Sequence, residues 1–176
     1  MVMDQKDRLP AWYVAHTRSR FEQVVLEGLE RKSLVAFLPK ITTMSKRRDR
    51  RKKIRVPLFP GYVFLRSDLN PAERLEIVKT VGVVRLIGNQ DGPVSVPDEA
   101  IESLRIMVAT DTSVETGARF KKGDRVMVVE GPLAGVIGMF VRYRGYGRVV
   151  VNVEALGQYA AVSVPEEHVE KIPDFL

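Results

Sequence analysis

Two stretches decide the fold: Pro57-Leu58-Phe59-Pro60-Gly61-Tyr62-Val63-Phe64 and, further along, Lys122-Gly123-Asp124-Arg125-Val126-Met127-Val128-Val129-Glu130-Gly131-Pro132-Leu133-Ala134-Gly135-Val136-Ile137-Gly138. The second reads as a strand over 126–129, a Gly-Pro turn, and another strand that Gly135 and Gly138 let bend. Further apolar runs at 136–141, 149–153 and 160–164 are separated by glycines and charges. Strands so short and so close together suggest a small closed β-barrel. In the first stretch, Pro57 and Pro60 fix φ and lack an N–H, so this segment cannot lie inside a central strand. Gly61 permits a sharp entry into the apolar strand expected over 62–65.

Working outward from the first stretch, residues 12–15 form a short apolar run and read as a strand. Ser19-Arg20-Phe21-Glu22 has the spacing of a capping box, in which Ser19 and Glu22 satisfy each other's free backbone donors. Phe21, Val24, Val25, Gly28 and Leu29 then fall on one face of a helix running to about Lys32. A second strand is expected over 35–43 and a return strand over 55–58, which makes the segment between them a hairpin tip. Asn70-Pro71-Ala72-Glu73 marks a further helix start, with Pro71 at the first helical position. A strand over 83–87, a turn over 89–93 and a third helix over 97–109 complete an α+β or α/β module. Residues 110–118 are small and polar with little to bury and read as a linker, spanning about 15–18 Å if flexible.

Charge is distributed unevenly. Residues 1–110 carry 20 Lys/Arg against 13 Asp/Glu, a net of +7, whereas residues 111–176 carry 8 against 9, a net of −1. Residues 46–55 alone hold eight basic side chains and one acid, Asp49, which accounts for the whole excess of the first half. Concentrated charge of this kind attracts a phosphate backbone, although a solvated tip serving only solubility has the same composition.

Several classes drop out. A 45% hydrophobic content is that of a globular protein. No run approaches the roughly 20 apolar residues of a membrane span. The first ten residues lack the apolar core of a secretory signal, and the absence of cysteine fits a reducing interior. A cytoplasmic location is expected. His16 and His168 are the only histidines and lie far apart in the chain, no thiol exists, and no carboxylate–histidine cluster has metal-ligand spacing. Gly131, Gly135 and Gly138 lack the Gly-Lys-Ser/Thr of a phosphate loop. No catalytic residue, metal or cofactor is expected, and the chain reads as a binding protein rather than an enzyme. Phe59 and Tyr62, held on a stiff turn, suit a rigid apolar contact surface, and by composition they suit a core equally well. Arg18 and Arg20 flank a helix N-terminus, whose free N–H groups already favour anions.

With Trp12-Tyr13-Val14 near the start, the order of these signatures resembles the NusG family of transcription elongation factors over roughly residues 11–172. The resemblance implies an α+β N-terminal domain, an antiparallel sheet flanked by helices, over 10–110. A linker over 111–118 and a small all-β SH3-like KOW barrel over 119–173 would follow. It implies that Tyr13, His16, Phe59, Gly61 and Tyr62 form a surface that seats on the clamp helices of the largest catalytic RNA polymerase subunit, with Trp12 bordering it or belonging to the core. Arg74 would lie near the gate loop of the other large subunit. Arg18 and Arg20 would face upstream DNA and the non-template strand. Apart from the resemblance, the charge of the basic run points Arg47, Arg48, Arg50, Arg51, Lys52 and Lys53 to contacts with nucleic acid or with an acidic polymerase surface.

Leu156 and Gly157 match the barrel tip at which general members bind Rho or a small-subunit ribosomal protein. The aliphatic Leu156 departs from the aromatic frequent there, and Tyr143, Tyr146 and Tyr159 are other candidates for aromatic surface. The wording of residues 57–62 and the basic hairpin look more like specialised paralogues of the RfaH or capsule-operon type. The expected function is a monomeric elongation factor that binds polymerase and suppresses pausing or termination. A housekeeping NusG coupling polymerase to Rho and the ribosome is the alternative, and a ribosome-associated RNA-binding KOW protein ranks below both. The glycines and valines of 124–154 oppose helix, so the second domain is expected to be a permanent barrel, tethered by residues 110–118 and tumbling semi-independently.

Overall fold

The computed structural model describes residues 8–110, 112–118 and 123–173; the start of the chain, Asp111 of the expected linker and Lys122 of the second signature lie outside them. The chain divides into two compact units, Met1–Val96 and Pro97–Leu176. Among the described residues every strand pairing is antiparallel.

In the first unit, β1 (Ala11–Thr17), α1 (Glu22–Arg31), β2 (Val35–Phe37), β3 (Lys40–Met44), β4 (Lys53–Pro57), β5 (Tyr62–Ser67), α2 (Pro71–Lys79) and β6 (Val83–Leu86) follow in order, and a two-rung hairpin of β7 (Gly88–Asn89) and β8 (Gly92–Pro93) ends the series. Four strands form a sheet in the order β2-β5-β1-β6. Because side chains alternate along a strand, Ala15 of β1 and Val63 and Leu65 of β5 share one face. They cluster there with Val25 and Leu29 of α1 and Ile77 of α2, all fully buried. The single strand expected over 35–43 is two strands. Leu38-Pro39 interrupts it, Pro39 offering no N–H to a ladder, and β3 leaves the sheet to pair only with β4.

The start of α2 matches its sequence reading: the Asn70 side chain accepts the Glu73 N–H at 2.9 Å, and Pro71 occupies the first turn. The capping box at α1 does not form. The helix begins at Glu22 with Phe21 in the cap position and no side-chain cap. Arg20 sits in the left-handed region at φ 65°, and that turn separates Ser19 from the helix it was expected to cap.

In the second unit, α3 (Asp98–Ala109) precedes β9 (Val114–Ala118), β10 (Asp124–Val128), β11 (Ile137–Tyr143), β12 (Tyr146–Val153), β13 (Gln158–Ser163) and β14 (Val169–Lys171). These strands form one six-stranded sheet in the order β14-β10-β11-β12-β13-β9. The linker expected over 111–118 is therefore, from Val114 to Ala118, an edge strand paired with β13 from Val162 to Gln158. Its polar, small residues suit an edge that buries little. Gly117 lets the Tyr159 ring lie across it, since a Cβ at that position would come within 2.7 Å of the ring.

By contacts α3 groups with this second unit. Three contacts fix it to the sheet. The buried Ser103 hydroxyl accepts the Ile137 N–H at 3.0 Å and donates to the Ile137 carbonyl at 3.2 Å. Arg125 holds the Glu99 carboxylate through both oxygens, at 2.5 and 2.7 Å. Ile106 lies against Gly135, where a Cβ would meet its terminal carbon at 3.0 Å. No helix among the described residues is long and apolar enough to cross a membrane.

Candidate functional site

β1 and β5 are the two inner strands of the first sheet, and their register places His16 opposite Tyr62. Paired residues on antiparallel strands project to the same face. The His16 and Tyr62 rings stack at 5.4 Å between centroids, tilted by 30°, and both are half-buried, with part of each ring at the surface. The segment that delivers Tyr62 is a turn. Gly61 sits at φ 87°, a conformation that L side chains avoid. Its carbonyl accepts the Thr17 N–H at 2.8 Å, and its own N–H donates to the Glu22 Oε1 at 2.8 Å. Leu58 N–H donates to the Pro39 carbonyl at 2.8 Å. The Pro57–Gly61 turn is thus hydrogen-bonded to β1, to α1 and to the β2–β3 connection.

Not every residue expected on this surface reaches it. Phe59 is 1% exposed, and its ring meets Phe64 edge-on at 6.3 Å. It is packing beneath the turn, because a large ring held between two prolines on a closed turn has an apolar pocket to fill. Trp12 is also buried, joined to the backbone of Val96. Tyr13 is odd-numbered on β1 and projects to the side of α1 and α2, opposite His16; strand alternation forbids both on one surface. The register adds a residue that the sequence reading missed: Arg85 of β6 lies opposite His16 and is exposed. A row of Arg85, His16 and Tyr62 therefore crosses three strands. Arg74 is exposed on α2 and lines, with Val78, Val84, Leu86 and the Arg85 of that row, a groove of about 290 Å³.

Arg18 and Arg20 are exposed in the β1–α1 connection. Arg18 N–H donates to the carbonyl of Gly82 at 2.8 Å, which ties this connection to the α2–β6 turn. The basic segment forms the tip of the β3–β4 hairpin, a two-stranded sheet of its own in register from Lys40↔Pro57 to Met44↔Lys53. Arg47, Arg48, Arg50 and Arg51 lie at the tip with Lys52, and Lys53 opens β4; all six are exposed. Among the described residues no carboxylate pairs with any of them.

In the second unit, Leu156 is half-buried in a 3₁₀ turn (Glu154–Leu156), and Gly157 is exposed at φ 60°, closing that turn with its N–H on the Glu154 carbonyl at 3.1 Å. Tyr146 is 71% exposed at the opposite, β11–β12 end of the sheet. The side chain of Tyr143 lies outside the described set. Among the described residues no group of His, Asp and Glu side chains could hold a metal ion.

Comparison with known proteins agrees with this architecture. The family model described as "Transcription termination factor nusG" matches residues 10–105, more than half of the chain. The transcription termination/antitermination protein NusG of Pseudomonas aeruginosa is 28% identical, covering 92% of this chain and 98% of its own length. That of Thermus thermophilus is also 28% identical, with 91% and 97% covered, and that of Helicobacter pylori is 25% identical, with 92% and 98%. A solved structure of Thermotoga maritima NusG shares the fold at a TM-score of 0.51 and 22% identity, covering 94% of this chain and 98% of that one. Proteins of this family are transcription factors and not enzymes. From the order of its elements, the match over residues 10–105 and relatives aligned nearly end to end, the chain belongs to the NusG family of transcription termination and antitermination factors.

Proposed function

We propose that the protein is an elongation factor that binds RNA polymerase through the first unit and suppresses pausing or termination. The observation that carries this reading is the stacked His16–Tyr62 pair, half-buried on a sheet and presented by a turn hydrogen-bonded on three sides. Aromatic surface held rigidly loses little entropy on docking. It suits the clamp helices of the largest catalytic subunit, with Phe59 supporting from below and Tyr13 stiffening the opposite face of the same strand. Arg74 on its groove suits the gate loop of the other large subunit. Residues 10–110 are read as the polymerase-binding region, and the six-stranded sheet as the SH3-like KOW barrel.

A factor that bridges the polymerase cleft need favour the closed clamp by only about 1.4 kcal/mol to shift that equilibrium tenfold. Arg18, Arg20 and the hairpin tip present exposed cations to upstream or non-template DNA. The specialised reading is favoured by that tip and by aliphatic Leu156 at the turn expected to engage Rho or a ribosomal protein. A housekeeping role is favoured by near end-to-end alignment with general NusG proteins. In a reconstituted elongation assay the protein should shorten pauses without enhancing Rho-dependent release, and Tyr62→Ala should weaken core-polymerase binding about tenfold. Enhanced Rho release would select the housekeeping role, and native binding by Tyr62→Ala would discard the proposed surface.

A further inference from the structure

We infer that Glu22 is a positioning residue for the polymerase-facing turn, an inference that rests on the binding reading above. Glu22 is 8% exposed. A buried carboxylate is costly unless its oxygens find donors, and the donor that Glu22 Oε1 finds lies 39 residues away, the N–H of Gly61 at 2.8 Å. Placement in the first turn of α1 supplies the rest of the explanation, because the helix dipole favours negative charge there.

Gly61 is held through both of its polar backbone atoms. At φ 87° its N–H points to Glu22 while its carbonyl takes the Thr17 N–H, so its two peptide groups are held from two different elements. The carbonyl bond continues the β1–β5 pairing and fixes the height of the turn. The Glu22 bond fixes its rotation, and with it the entry angle of Tyr62 toward His16. Tyr62 N–H makes only a 3.3 Å bond to the Phe59 carbonyl inside the turn, so the local bonds alone hold that angle loosely. Without an acceptor at position 22, the Gly61 peptide can rotate while β1, β5 and α1 stay paired and packed. The ring pair then loses its fixed tilt, and the surface must be re-ordered each time it docks.

The side chain's role is geometric, so an acceptor of the same length serves without the charge. Full-length Glu22→Gln should bind core polymerase within about twofold of the native protein, and Glu22→Leu should bind about tenfold more weakly. Gly61 amide exchange, followed by NMR on the free protein, should quicken at least tenfold in Glu22→Leu and stay near native in Glu22→Gln, while amides of β1 and β5 keep their protection. Tyr62→Ala serves as the control for the surface itself. If Tyr62→Ala binds weakly and Glu22→Leu binds as tightly as native, Glu22 does not position the turn. If both bind as tightly as native, the surface is misassigned. Should Glu22→Leu fail to fold, an unchanged Gly61 exchange rate in a Glu22→Ala variant would overturn the inference, and selective quickening would uphold it. Equal weakening by Gln and Leu would overturn it too, because charge rather than placement would then be what matters.

Discussion

Arg20 occupies a backbone conformation that costs a branched or bulky residue about 1–2 kcal/mol relative to its normal regions. Ser33, Leu69 and Arg144 share that conformation, so strain alone assigns no role; what sets Arg20 apart is that it is an exposed cation beside the N-terminal end of α1. Arg20→Gly should raise stability by roughly 0.5–1 kcal/mol, the relieved strain outweighing the added freedom of the unfolded chain. The same change should weaken binding to a forked DNA scaffold, and a variant both more stable and equally tight on DNA would reduce Arg20 to an accident of sequence. Residues like this mark the limit of reading a chain. Asn70 and Pro71 were legible because a cap is a local event, settled within four residues. Ser19 and Glu22 had cap spacing too, but Arg20 turned the chain between them and Glu22 bonded across 39 residues. No local pattern distinguishes those outcomes. The separation of Tyr13 from His16, in contrast, was available from strand alternation alone.

At the level of elements, strands and helices that bury an apolar face were visible in the periodicity. Those held mainly by a neighbour were not. Val114–Ala118 has one large apolar residue in five, and its place as a strand comes from the open edge of β13. Removing it leaves Gln158–Ser163 with an unpaired edge that carries Ala160, Ala161 and Val162, the kind of edge that recruits other chains. A fragment beginning at residue 119 should therefore self-associate in sedimentation, and one beginning at residue 97 should sediment as a monomer. The β3–β4 hairpin makes the complementary case. Its tip supports no core, so replacing Arg47, Arg48, Arg50 and Arg51 with Ser should leave the melting temperature within about 2 °C. It should flatten the salt dependence of binding to a transcription complex, by up to about 0.9 in logarithmic slope per lost phosphate contact. An unchanged slope would assign the tip to solubility.

For the molecule as a whole, the division of labour runs between a unit that presents aromatic and cationic surface and one that carries α3 and the six-stranded sheet. The proposed polymerase-facing pair and the basic tip both lie before Val96. A fragment of residues 1–110 should hence retain core-polymerase binding and anti-pausing activity, and binding by full-length protein alone, at matched folding, would refute that division. The order of the two signatures gave away the family and the two larger sheets. The seating of α3 on the second sheet was hidden, since it runs through a serine hydroxyl on a backbone peptide, one ion pair and the approach of Ile106 to Gly135, none of which has a sequence signature. The hairpin's independence reaches further than its charge. Among the described residues the tip is carried on its own two strands, bonded to the body at their base through Lys40 and Gln23, so it can be lengthened, shortened or recoded with little effect on how the four-stranded sheet folds. On the proposed reading of the tip as a nucleic-acid contact, address and stability are written in separate residues, so descendants of this chain could acquire new targets by exchanging the basic residues of the hairpin while the four-stranded sheet is inherited intact.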